Sequence, residues 1–230
     1  MTSRMNPALL VLALLVSCGP PGMADDKPSA AMVVDKEKKT ITIACKMAPR
    51  KFARYDQIYP LEVVATYPDE HKPQGQKAHE TVVIFTNVKP SEVHKALESF
   101  GLKPGKAGMG EGETGSGPEV KISLEVPGSD GQPQKVPIEK TMQDRKTGKP
   151  MPTLKWYFTG SAMKQPNPEK DEKIYGADLT GTLIAIFPVT NETVIQSHLK
   201  FKDQELLRLE TNKNVVPPEG GTVKLIIEPK

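Results

Sequence analysis

Apolar and polar residues alternate in several separate runs, and each run predicts a strand with one buried face. In Glu119–Val126, Val120, Ile122, Leu124 and Val126 share one side, opposite Lys121, Ser123 and Glu125. "AMVVDKEKKTITIAC" sets two apolar runs around a charged turn, which predicts a hairpin. Further strands are expected in "LEVVATY", "KVPI", "LKWYFTGS", "LLRLET" and "TVKLIIEP". "HETVVIF" is apolar without a break from Val82 to Phe85, as suits a strand covered on both faces. "YGADLTGTLIAIFPVT" reads as strand, glycine turn or bulge, then strand, and "EKTMQDRKTGKPMP" as a helical turn at most, then loop.

One stretch has a different period. In "KPSEVHKALESFGL", Val93, Ala96, Leu97 and Phe100 follow the spacing of a buried helix face. Pro90 suits the first helical position, and Gly101 the left-handed position just past the end. His94 falls at the edge of the apolar stripe. The link from Thr86 to Lys89 is short, so the helix is expected to double back along Thr81–Phe85. That path leaves His94 near the strand's far end and His79 at its beginning. The pattern implies an α+β fold: a mainly antiparallel β-sheet domain with one definite amphipathic helix. No internal repeat or linker divides it.

The first residues do not belong to that body. Arg4 precedes an unbroken apolar run from Ala8 to Val16, too short to span a bilayer and typical of an export signal. Two processing routes fit. Gly22-Met23-Ala24 allows cleavage before Asp25, giving a signal peptide of residues 1–24 and a tether of residues 25–31. Leu15-Val16-Ser17-Cys18 resembles a bacterial lipobox, in which residues 1–17 are removed and Cys18 is acylated. The placing of Cys18 directly behind the apolar run favours the second route. The expectation is export across the inner membrane, to a lipid-anchored or periplasmic location, with the membrane as partner through the anchor. The domain then runs over residues 32–230.

Composition narrows the function classes. The chain has 230 residues, 26% charged and 37% hydrophobic, with 22 prolines and 18 glycines, which fits a loop-rich, strand-rich globular body. Net charge is +3, with acids and lysines interleaved and no basic stripe carrying aromatics, so nucleic-acid binding is disfavoured. Cys18 and Cys45 are the only cysteines. An iron–sulfur cluster needs four such ligands and is excluded, so no cofactor is expected. Cys45 ends an alternating run and is expected to be a buried, inert thiol.

Gly110-Glu111-Gly112-Glu113-Thr114-Gly115 fits the dinucleotide spacing, but Pro118 and a strand follow where a helix is required. Gly160-Ser161 lacks the nucleophile-elbow pattern. His71 lies in a polar loop and is expected to be solvated. His79, Glu80 and His94 have the chemistry of metal ligands. Two imidazoles fall short of a full ligand set, though, and neighbours in a regular strand point to opposite faces. His79 and His94 are the metal candidates, and no residue stands out as catalytic.

"GQKAHETVVIF", "KPSEVHKALESFGLKPG", "LKWYFTGS" and "YGADLTGTLIAI" together resemble the bacterial YdjY-like domain family, in order, from about Val33 onward. Thr81 stands where the family often has serine. Some relatives carry ferredoxin-type cysteines in addition, which this chain lacks. The resemblance implies no reaction. It marks His79, Glu80, His94, Trp156, Gly160, Ser161 and Asp178, which would line a small polar pocket if they converge. The ligand-binding set that it suggests is His79, Glu80, Ser161, Asp178 and Trp156. The reading is an exported, non-catalytic module that binds a small ligand or an envelope protein. The alternative is a metal-dependent enzyme or metal-binding protein centred on His79 and His94.

Overall fold

The computed structural model describes residues 31–51, 57–68, 78–128 and 130–230. The expected export segment, Cys18, His71 and all of the expected tether but Ala31 lie outside the described residues. Strand β1 (Met32–Asp35) and strand β2 (Thr40–Met47) make the expected hairpin. Its turn is held by Asp35 Oδ1, which accepts from Lys38 N–H at 2.9 Å. Then come β3 (Val63–Thr66), β4 (Thr81–Phe85), helix α1 (Pro90–Ser99), β5 (Glu119–Pro127), β6 (Pro133–Pro137), β7 (Met142–Asp144) and β8 (Trp156–Phe158). The chain continues with β9 (Met163–Lys164), β10 (Ile174–Tyr175), α2 (Gly176–Thr180), β11 (Thr182–Ala185) and β12 (Ile195–Ser197). It ends with α3 (Phe201–Leu206), β13 (Leu209–Thr211) and β14 (Thr222–Pro229).

The fold is mostly β with few helices, and the expected sheet is corrected in one respect: it closes into an eight-stranded barrel. The order is β2-β14-β5-β8-β12-β11-β3-β4, returning to β2. Closure depends on β2. One of its edges pairs with β14, while the other serves β1 through Thr40–Ile43 and β4 through Cys45–Met47. Two pairs, β3–β4 and β11–β12, are parallel, and the other pairs of the barrel are antiparallel. The stretch read as a glycine turn is the short helix α2, ended by Gly181 in the left-handed conformation. Five residues are too few for helical periodicity to show.

Directly paired residues point to the same side of a sheet, so the register locates the interior. Ile43 pairs with Leu225, Leu225 with Leu124, Val120 with Trp156, and Phe158 with Ile195. Ile195 pairs with Ile184, Ile184 with Ala65, Ala65 with Val83, and Met47 with Val83. The ring returns to β2 on the same face, and that face is apolar and buried. Cys45 belongs to it, and burial pushes its thiol up to about 12, so it is not thiolate at neutral pH.

The same registers define two ends. At one, β3, β4 and β8 finish while β11 and β12 begin. At the other, β2 finishes while β3, β4 and β14 begin. Helix α1 leaves β4 at the first end. Glu92 Oε2 accepts from Lys89 N–H at 2.6 Å, and Gly101 follows at φ +88°. Gly101 N–H reaches Glu98 O at 2.8 Å and Leu102 N–H reaches Leu97 O at 3.4 Å, a left-handed terminus that glycine adopts without strain. After the helix, Gly105 N–H donates to Phe158 O at 3.0 Å. Strand β8 lies across the barrel from β4, four places away in either direction. The helix therefore lies over the barrel end rather than doubling back along β4.

Candidate functional site at the capped end of the barrel

Four of the marked residues, His94, Gly160, Ser161 and Asp178, come together at α1. His94 sits edge-on to the inward-facing Phe158, ring centres 5.0 Å apart, and edge-on to Tyr175 at 5.3 Å. Its Nδ1 lies 2.7 Å from the Tyr175 hydroxyl, which also accepts from Ser161 N–H at 3.1 Å. The Tyr175 oxygen can donate to Nδ1 or accept from it, according to the imidazole tautomer. Nε2 faces Glu98 Oε1 at 3.4 Å. Burial, joined by the charges of Asp178 and Glu98, pushes the Tyr175 hydroxyl well above its ordinary range, so it stays protonated.

Ser161 Oγ is engaged on both sides. It accepts from Ala177 N–H at 2.9 Å and donates to Ala162 O at 3.1 Å. It thus ties the end of β8 to α2. Asp178, on α2, accepts from Ser91 N–H at 2.7 Å, which satisfies one of the free donors at the start of α1. Asp178→Ala is expected to cost about 0.5–2 kcal/mol, the usual worth of a cap. Chemical denaturation would read the loss, and faster amide exchange at Ser91 would locate it.

Gly160 is required for two reasons. Its φ is +67°, and a Cβ there would come within 2.8 Å of Pro104 Cβ and 3.3 Å of His94 Cε1. The cleft this packing leaves has a volume of about 260 Å³, and its wall includes His94, Lys106, Thr159, Gly160, Ser161 and Asn191. Asn191 was not marked by the sequence reading, nor was Tyr175. The Asn191 Oδ1 is enclosed and has no hydrogen-bond partner among the described residues. An enclosed carbonyl without a donor is costly, which sets Asn191 apart in this cleft.

The other marked residues are elsewhere. His79 and Glu80 lie in a single 3-10 turn, Ala78–Glu80, before β4, at the opposite end of the barrel from His94. The main-chain carbonyl of His79 accepts from Arg50 Nη1 at 2.5 Å. Burial, with the Arg50 charge added, holds the His79 imidazole below its ordinary range. Trp156 is a core side chain inside the barrel, and its Nε1 donates to the buried Glu139 at 2.8 Å. The set of His79, Glu80, Ser161, Asp178 and Trp156 is thus divided among three places. Among the described residues no group of three or more His, Cys, Asp or Glu side chains is placed to hold a metal ion. No helix among them is long and apolar enough to cross a membrane.

The family model for the YdjY domain matches residues 32–228, which takes in the barrel, α1 and α2. The chain belongs to the YdjY domain family. No curated protein matches the chain, and no solved structure does. In this YdjY domain the segments that carry the family likeness fall into two groups. "LKWYFTGS" and "YGADLTG" bring Gly160, Ser161, Tyr175 and Asp178 to His94 of α1, while "HETVVIF" leads from the other end into the barrel wall.

Proposed function

We propose that this protein is an exported, lipid-anchored envelope protein whose YdjY domain is a non-catalytic binding module. The cleft beneath α1 is its binding site, for a small polar ligand or a segment of an envelope protein. The observation that carries this reading is how the polar groups there are engaged. The Ser161 hydroxyl is spent on two backbone groups, and Tyr175 takes Nδ1 of His94. A nucleophile requires a base within hydrogen-bond reach, and here the hydroxyl and the imidazole serve other partners. What remains in the wall is the exposed Lys106 ammonium and the Asn191 carboxamide, recognition groups rather than reactive ones.

Two experiments test the reading. The full chain should fractionate with membranes and partition into detergent, because several acyl chains anchor stably where one does not. Cys18→Ser should release it or leave it unprocessed, and a mature N-terminus at Asp25 would defeat the anchor. For the cleft, NMR titration with envelope saccharides and short peptides should shift amides around Gly160 and Ser161, and Asn191→Ala should abolish those shifts. Stoichiometric metal in untagged protein, lost in His94→Ala, would overturn the reading in favour of the metal alternative.

A further inference from the structure

The opposite end of the barrel carries a second cleft, of about 420 Å³, whose wall includes Met47, Arg50, Lys213, Val216, Pro217 and Glu219. Arg50 is only 4% exposed. Its guanidinium has five N–H donors. Nη1 donates to the carbonyls of His79 at 2.5 Å and Thr81 at 3.4 Å, and Nη2 donates to the Tyr59 carbonyl at 2.5 Å. All three acceptors are neutral. The Nε–H is enclosed and has no acceptor among the described residues. Burial weakens the guanidinium's hold on its proton, to a pKa of about 10, although Glu219, Glu80 and Glu210 act in the other direction.

We propose that this cleft binds a small organic carboxylate with an apolar body. Among the described residues this buried guanidinium is hydrogen-bonded by neutral carbonyls and not by the partner that its planar fork fits best, which is a carboxylate taken side-on. The Nε–H lies on that edge. Lys213 adds a second positive charge in the wall, and Met47, Val216 and Pro217 supply an apolar surface for hydrocarbon. Glu219 in the same wall repels a multiply charged anion, so a single carboxylate is preferred to phosphate. The site lies at the other end of the barrel from the cleft beneath α1 and is independent of it.

Hexanoate is a suitable probe, with hexanol and inorganic phosphate as comparisons. Hexanoate should raise the melting temperature of the full-length protein saturably in the millimolar range, as ligand linkage requires, and the other two should not. By calorimetry, Lys213→Ala should bind hexanoate roughly tenfold more weakly, the loss of one charge contact. Arg50→Gln should abolish binding. Lys213 is exposed, so its variant decides the matter should Arg50→Gln not fold. No saturable shift with hexanoate, an equal shift with hexanol or phosphate, or undiminished binding by Lys213→Ala would overturn the proposal. So would loss of hexanoate binding in Asn191→Ala, which would place the ligand in the other cleft.

Discussion

Trp156→Ala is expected to destabilise the protein by about 3–5 kcal/mol, the range for deleting a large buried aromatic side chain. Trp156 faces the barrel interior beside Val120 and Ser197 in register and is 2% exposed. Removing the indole leaves a cavity between strands that cannot collapse without breaking the ladder. It also removes a donor from Glu139, whose Oε1 accepts from Trp156 Nε1 and from Leu154 N–H at 3.1 Å. Trp156→Phe separates the two contributions. It fills most of the space but gives Glu139 no donor, so about 1–3 kcal/mol should go. Urea denaturation followed by far-UV circular dichroism reads both variants, since Trp156 is the only tryptophan. A loss near zero in Trp156→Ala would show that the indole does not fill the core. Equal losses in the two variants would mean that the hydrogen bond outweighs the cavity.

The same tryptophan shows how far the residue pattern alone could reach. The run around Ile43 alternates cleanly and those around Val120 and Leu225 nearly so, because one side faces the barrel, so β5, β2 and β14 were legible as strands. Closure was not. It depends on β2 sharing one edge between two partners far apart in sequence, and nothing in the alternation of a strand names its neighbours. Strand β12 was missed because it buries Gln196 and Ser197, polar residues that read as loop. Gln196 is satisfied by the main chain of Gly108, at 2.8 Å from N–H and 3.1 Å to O, a partner from the glycine-rich loop that no local rule predicts. The site was half legible. The family likeness marked Ser161, Asp178 and His94, which do meet, but also His79 and Trp156, which do not join them. Tyr175 gives no signal of its own in the sequence, because its role comes from the contacts of its hydroxyl with His94 and Ser161. Arg50 and Asn191 gave no signal, because their interest comes from burial and missing partners, which only three-dimensional placement reveals.

Leu97→Ala is expected to cost about 2–5 kcal/mol and to disturb the cleft as well. Leu97 is fully buried, on the same face of α1 as Val93 and Ala96, and its carbonyl accepts from Leu102 N–H at the helix end. The helix lies over the barrel end, held at its start by Asp178 and past its finish by Gly105 on Phe158. Its middle is held by packing, and ten residues are too few for a helix to persist in water on propensity alone. Truncating Leu97 therefore loosens the segment that carries His94 to Tyr175. Stability should fall, and the Tyr175 hydroxyl should lose protection at its shared contact with Ser161 N–H, seen as faster amide exchange at Ser161. Ser91, bound by Asp178 at the other end of the helix, should change less. A stability loss with unchanged exchange at Ser161 would mean that the site is organised by α2 and β8 without α1. No loss at all would mean that this face of α1 is free to meet another surface.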